Sequence, residues 1–256
     1  MRSTRSRDLR TLTFFLIAYS ISWAAWITLF ARHFSPFVGI GRWLYLAAVC
    51  APHGSAVMIT AIVGGRAGLQ AFYQLTFRRV PFRWIIIAIS TPPIIYLIRD
   101  SIAVAFHLPH DSFLHHPPRT LTALIFGQLV VVLGEEPGWR GFALPRLIER
   151  LGPNVGTVIL GIVWALWHLP LFVVLGTPQY GTPFMPFLVE LTAWSMVITF
   201  FVMHTRGSAV AAMLFHASGN LCAFTMWEPD ATVFALGPWV VIAIIASWRM
   251  RIRVEA

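Results

Sequence analysis

Long apolar runs, each about as long as a bilayer is thick, constrain this chain more than any other feature of its sequence. A membrane-spanning helix needs about 20 mostly apolar residues, and lipid admits only helices or closed barrels because backbone polar groups find no water there. Eight such runs lie at residues 11–31, 43–64, 84–106, 121–134, 155–175, 184–203, 208–226 and 231–248. The sequence therefore predicts an all-α, polytopic membrane protein with about eight transmembrane helices and a polar intramembrane cavity.

The composition supports this prediction and excludes two other classes of protein. Hydrophobic residues make up 57% of the chain and charged residues 11%, against about 25% charged residues in soluble domains. A water-soluble globule and a disordered chain are therefore excluded. The net charge of +9 would suggest nucleic acid in a soluble protein, but here the basic residues flank apolar runs, so we predict no nucleic-acid partner. No repeat or linker divides residues 1–256, which predicts a single membrane domain.

The basic residues predict an orientation in the membrane. All nineteen are arginine, and fifteen of them fall on the cytoplasmic side if the N-terminus is placed in the cytoplasm. Cytoplasmic loops carry an excess of basic residues, so we predict an integral multi-pass cell membrane protein with both termini in the cytoplasm. Residues 66–79 alternate apolar and polar side chains and predict a short amphipathic helix on the membrane surface.

Two adjacent carboxylates and an arginine follow the fourth apolar run, where an ionised side chain costs roughly 2.5–3.5 kcal/mol. On a helix, Glu136 and Arg140 are four residues apart and can pair, whereas Glu135 lies about 100° round the axis. Glu136 is therefore a candidate structural anion and Glu135 a candidate general base. Pro137 has no N–H for the carbonyl of Leu133, which predicts a kink with room for water or substrate. A charge cluster at a helix end is the structural alternative.

Two further polar pairs have the same four-residue spacing on the fifth and seventh runs. Trp164 and His168 share one helical face, and so do His216 and Asn220. A histidine can carry a proton or bind a metal, and an asparagine amide can stabilise an oxyanion. With Glu135 they provide the groups for amide hydrolysis, and equally a zinc set of two histidines and one carboxylate. The structural alternatives are a satisfied core histidine and an interhelical polar clamp.

These motifs resemble those of the CPBP family of intramembrane proteases, in the same order. That family includes the CAAX prenyl endopeptidases of the Rce1 type and bacterial proteins for bacteriocin processing or immunity. The resemblance covers about residues 121–226, and it rests on Glu135-Glu136-x-x-x-Arg140, Trp164-x-x-x-His168 and His216-x-x-x-Asn220. One departure is Trp164, where the family pattern more often has phenylalanine.

The resemblance implies an intramembrane endopeptidase that hydrolyses a peptide bond of a membrane-associated or lipidated peptide or protein. By resemblance, Glu135 activates the attacking water with help from His168, while His216 and Asn220 form the oxyanion hole. The bilayer and the substrate are the implied partners.

The resemblance also assigns supporting residues and raises the question of a metal. Glu136 and Arg140 would pair and position Glu135, and a divalent metal such as zinc, if present, would be held by Glu135, His168 and His216. The family is commonly described as metalloproteases, but the HExxH and GxSxG signatures are absent here. We favour a metal-free mechanism.

Two other functions stay open on the residues themselves. One is a catalytically silent membrane partner or immunity protein built on the same scaffold. The other is a proton-coupled transporter, since buried glutamates and histidines also serve as proton relays. No inverted repeat or matched pair of broken helices is evident, which counts against the transporter.

The remaining polar residues give three weaker expectations. Glu190 and His53 are candidates for the same cavity, and the histidine-rich outer loop at 107–116 is expected to be solvated rather than a metal site. The cavity is expected to open to the cytoplasmic face, because Arg140, Arg146 and Arg150 place the glutamate pair near that face.

Overall fold

The computed structural model describes residues 2–107, 118–226 and 232–255, and the regular structure within these ranges is helical, without any strand. A π-helical turn, Pro137–Ala143, joins the fourth and fifth helices, and a short 3₁₀ turn, Leu169–Val173, follows the fifth. The α-helices are α1 Arg2–Arg32, α2 Gly39–Thr76, α3 Phe82–Ala105, α4 Pro118–Glu136, α5 Leu144–Trp167, α6 Phe184–His204, α7 Val210–Met226 and α8 Thr232–Glu255. Each predicted run has a helix of its own, and the all-α prediction is confirmed.

Five helical stretches of the described residues are long and apolar enough to cross a membrane. They are Asp8–Arg32, Gly39–Thr76, Phe82–Ala105, Thr122–Val173 and Phe184–His204. The fourth stretch contains both α4 and α5, because the π-helical turn keeps the chain helical between them. A polytopic membrane fold follows from these helices, while the count of eight spans stays a prediction.

Two long helices bend at glycines in the left-handed region of φ. Gly65 has φ 56° and divides α2, and Gly152 has φ 75° and divides α5 just before Pro153. Glycine adopts this backbone conformation without the steric cost that a Cβ would add. The break at Gly65 falls at the boundary between the predicted second span and the predicted surface helix at 66–79.

The helices approach one another closely where small residues face a neighbour. A Cβ on Gly161 of α5 would lie 2.8 Å from Cα of Thr192 on α6, and a Cβ on Gly134 of α4 would lie 2.8 Å from the Val49 carbonyl oxygen on α2. Small residues let backbones pack tightly in membranes, where no hydrophobic effect drives helices together. The close contact of α2 with α4 fixes the helix that carries the glutamate pair.

Candidate active site

The end of α4 keeps the glutamate pair on an ordered helix. Glu136 has helical backbone angles, φ −62° and ψ −36°, and the chain then widens into the π-helical turn that begins at Pro137, where the sequence predicts a kink. A wider turn accommodates the proline ring without breaking the helix. The carbonyl of Leu133, which Pro137 cannot bond, accepts a hydrogen bond from Nδ1 of His53 at 2.8 Å. The free carbonyl was predicted correctly, and its partner comes from α2.

Glu135 is 2% exposed and is held by the tryptophan of the second motif. The Trp164 indole N–H donates to Oε2 of Glu135 at 2.8 Å. The Arg140 guanidinium lies 4.1 Å from the centre of the Trp164 ring, a cation–π contact. Trp164 therefore contacts both Arg140 and Glu135 and connects the two. The bond uses Oε2 of Glu135, so Oε1 is available for other partners.

Glu136 joins two helices through one buried carboxylate oxygen. Its Oε1 accepts from Nη1 of Arg140 at 3.2 Å and from Nδ1 of His216 at 2.8 Å. Arg140 also donates from Nη2 to the Ser195 hydroxyl at 3.3 Å. The predicted pair of Glu136 and Arg140 is present, and the contact of Glu136 with His216 is an addition that four-residue spacing cannot reveal.

His168 lies directly after α5 and is 8% exposed. Its Nδ1 donates to the Trp164 carbonyl oxygen at 2.8 Å, which leaves Nε2 as the nitrogen for other chemistry. The ring packs edge-on against Trp167 and Phe187, at centroid distances of 4.7 and 5.3 Å. These contacts fix the orientation of the imidazole.

Asn220 has a partner that the motif analysis missed. Its Nδ2 donates to Oε1 of Gln128 on α4 at 2.7 Å, and Gln128 is 6% exposed. Gln128 precedes Glu135 by seven residues, so both lie on nearly the same face of α4. This spacing was the sequence signal that could have found Gln128. The bond uses one of the two amide N–H groups of Asn220 and leaves the other for a ligand.

The four residues predicted to be catalytic line one cavity of about 450 Å³, within the range of small-molecule and peptide sites. Glu136 and Arg140 do not line it, and they lie behind it as support. Most of the wall is apolar or aromatic. The catalytic candidates in the wall are Glu135, His168, His216 and Asn220, and the apolar wall includes Trp26, Val131, Phe187, Leu191, Trp194 and Trp239.

Of the two weaker candidates, one lines the cavity and one does not. Glu190 lies in the wall, together with Tyr96 and Arg99 of α3. The Arg99 side chain bonds the adjacent Asp100 and lies 4.6 Å from the centre of the Tyr96 ring. His53 is not one of the described residues that line the cavity. Its ring instead bonds the Leu133 carbonyl and the Tyr73 hydroxyl, which do not line the cavity either.

The cavity extends toward the loop face, which we define as the membrane face at which α1 ends. Phe37, from the connection between α1 and α2, lines it, as do Gly176, Thr177, Pro178 and Gln179. A Cβ on Gly176 would lie 3.6 Å from Pro36, so the two connections are neighbours. The cavity thus extends away from the N-terminal face. The expectation that it opens to the cytoplasmic face stays a prediction.

The proposed metal ligands are not grouped for a metal ion. Among the described residues, no three histidine, cysteine, aspartate or glutamate side chains lie close enough together to hold one. Nδ1 of His216 and Nδ1 of His168 bond protein acceptors, so Nε2 is the ring nitrogen of each that could contact a ligand. Of the loop at 107–116, residues 108–116 lie outside the described part of the chain, and the expectation of a solvated loop stays a prediction.

Comparison with known proteins agrees with the resemblance seen in the motifs. A model of the family described as Type II CAAX prenyl endopeptidase Rce1-like matches residues 117–222. The chain is also similar to CAAX prenyl protease 2 of Methanococcus maripaludis, with 23% identity over 226 residues that cover 81% of this chain and 82% of the relative. These matches confirm the resemblance and support an intramembrane endopeptidase.

Proposed function

We propose, from this resemblance to the Rce1-like endopeptidases, that the chain is an intramembrane endopeptidase in which Glu135 is the general base. The observation that carries the proposal is the convergence of Glu135, His168, His216 and Asn220 on one buried cavity. Placing ionisable and amide groups together in a membrane is costly, and such groups mark function.

In the proposed reaction, Glu135 takes a proton from a water molecule while the water oxygen bonds the carbonyl carbon of the substrate. The bond from Trp164 to Oε2 holds the carboxylate and leaves Oε1 as the base. His168 assists through Nε2, since its Nδ1 donates to a backbone carbonyl. When the carbon–nitrogen bond breaks, Glu135 returns the proton to the leaving nitrogen.

Charge that develops on the carbonyl oxygen requires hydrogen-bond donors, and we assign these to Asn220 and His216. Asn220 has one amide N–H beyond the one that bonds Gln128. Because Nδ1 of His216 donates to Glu136, Nε2 is a donor only when the ring is doubly protonated. The bond to the buried Glu136 carboxylate orients the His216 ring, which gives Glu136 a role in the reaction without contact with the substrate.

The substrate we propose is a hydrophobic or lipidated peptide that reaches the cavity from the membrane. The apolar and aromatic wall supports this class, because it binds acyl, prenyl or apolar side chains better than charged ones. The relative from Methanococcus maripaludis is named for CAAX prenyl substrates, so C-terminally prenylated peptides are the first to test.

We propose further that no metal takes part in the reaction. The lack of a three-ligand group among the described residues supports this proposal. Activity that survives dialysis against a strong chelator would agree with it. Activity that is lost on chelation and restored by added zinc would contradict it.

The test of the activity uses purified protein in detergent and a mixed library of hydrophobic and prenylated peptides, with products identified by mass spectrometry. The wild type should cleave, Glu135→Gln should not, and Glu149→Gln should behave as the wild type because Glu149 is exposed on α5. A folded wild type that cleaves nothing, or a Glu135→Gln variant that still cleaves, would overturn the proposed function. In the first case the silent membrane partner becomes the better reading.

A further inference from the structure

The carbonyl of Leu133 lies two residues before the proposed base and lacks its usual helical partner. In an α-helix this oxygen would accept the N–H of residue 137, but that residue is proline. Nδ1 of His53 donates to it at 2.8 Å. In this tautomer Nε2 accepts the Tyr73 hydroxyl at 3.2 Å, so both ring nitrogens have a partner.

The segment of α2 around His53 packs directly on the segment that carries the glutamates. A Cβ on Gly134 would lie 2.8 Å from the Val49 carbonyl oxygen, and a Cβ on Gly138 would lie 2.5 Å from the carbonyl carbon of Pro52. The two backbones are thus in contact on both sides of Glu135 and Glu136. The bond from His53 supplies the polar contact in this otherwise steric interface.

We propose that His53 is a positioning residue for Glu135. It replaces the missing amide of residue 137 as the donor to Leu133, and so fixes the last turn of α4 in the orientation that presents the carboxylate to the cavity. Its own side chain does not line that cavity, so it acts through the backbone and not on the substrate. This proposal rests on the proposed function of Glu135 and adds a residue outside the recognised motifs.

The test compares His53→Leu, which removes the donor, with His53→Asn, which keeps an N–H near the position of Nδ1. We expect kcat of His53→Leu to fall roughly 10- to 100-fold, since small misplacements of a reacting group cost about this much, and KM to change less than about threefold. His53→Asn should recover most of kcat. His204→Leu is the control. His204 also bonds a helix carbonyl, that of Phe200, but it lies on α6 and is far in sequence from the glutamates.

A second comparison isolates the role of the proline. Pro137→Ala supplies the N–H that Leu133 lacks, so His53→Leu should lower kcat much less in a Pro137→Ala background than in the wild type. An equal loss of kcat in both backgrounds, or full kcat in His53→Leu, would overturn the proposal. So would a loss in His53→Leu that His53→Asn does not reverse.

The same four proteins separate this proposal from the proposed function. If the wild type cleaves no peptide, the melting temperatures of wild type, His53→Leu, Pro137→Ala and the double variant still report the contact. A melting shift for His53→Leu that shrinks in the Pro137→Ala background supports the substitution of one donor for the other. Strictly additive shifts would overturn the contact whether or not the protein is a peptidase.

Discussion

At the scale of single residues, Trp164 makes two contacts, and a phenylalanine at this position could make only one of them. Its ring packs on Arg140 and its N–H bonds Glu135, so it connects the supporting cation with the proposed base. The family pattern more often has phenylalanine at this position, which retains the ring but has no N–H. The orientation of Glu135 is therefore controlled in this chain by a bond that the family pattern does not require.

Trp164→Phe should consequently lower kcat without unfolding the protein. A hydrogen bond to a charged group contributes about 1.5–3 kcal/mol, so we expect a loss of roughly 10- to 100-fold in kcat with KM nearly unchanged. Steady-state kinetics on a peptide identified in the library would measure this. An unchanged kcat would show that the indole N–H has no part in catalysis.

Arg140 and Arg150 allow the contribution of a buried ion pair to the free energy of unfolding to be compared with that of an exposed one. Arg140 bonds Glu136 with both side chains fully buried, whereas Arg150 bonds Asp8 with side chains 59% and 42% exposed. Arg140→Met leaves a carboxylate buried with one partner fewer, which costs about 3–5 kcal/mol, while Arg150→Met should cost at most about 1 kcal/mol. Unfolding in mixed detergent micelles would measure both, and equal losses would contradict the assignment.

At the scale of helices, the contact of α2 with α4 and the π-helical turn that follows it requires glycine at defined places. A Cβ on Gly138 would meet backbone atoms of Pro52 at 2.5 Å, which cannot move aside as a side chain could, whereas a Cβ on Gly127 of α4 would meet nothing within 4 Å. Gly138→Ala should therefore destabilise the protein by about 1–3 kcal/mol and Gly127→Ala by much less. Thermal unfolding in detergent would measure both. A tolerated Gly138→Ala would mean that the interface is looser than its geometry indicates.

The helices were predictable from the sequence because apolar length and charge are local properties. The end of α6 at His204 and the start of α3 at Phe82 fall within two residues of the predicted runs. The pairing of Glu136 with Arg140 was also predictable, since four-residue spacing is local. The contacts of Glu136 with His216 and of Asn220 with Gln128 were not, because they join helices whose order in space no single segment encodes.

The surroundings of Pro137 show, at a single residue, that local chemistry was predictable from the sequence and contacts between helices were not. A missing N–H and a free carbonyl at Leu133 follow from the chemistry of proline alone. How the helix accommodates the proline depends on what packs against it, and here α2 supplies both a close backbone contact at Pro52 and a donor at His53. The sequence identified the unsatisfied group, and only the fold identified its partner.

At the scale of the whole molecule, the charge pattern and the cavity give a prediction about orientation. The arginines favour a cytoplasmic N-terminus, and the cavity extends to the opposite, loop face. In a background with Cys50→Ser and Cys222→Ser, Tyr180→Cys on the loop face should react with an impermeant maleimide added to intact cells. Arg79→Cys, on the N-terminal face, should react only after permeabilisation. The reverse pattern would contradict the charge rule and direct the cavity to the cytoplasm.

The bond between Glu136 and His216 also has a consequence for how the protein is made. The two residues are 80 positions apart, and Gln128 and Asn220 are 92 apart, so α4 leaves the ribosome well before α7 is synthesised. During that interval the membrane-inserting α4 carries its carboxylates without the imidazole that later joins them. The proposed reactive centre is therefore incomplete during biogenesis until the seventh helix docks.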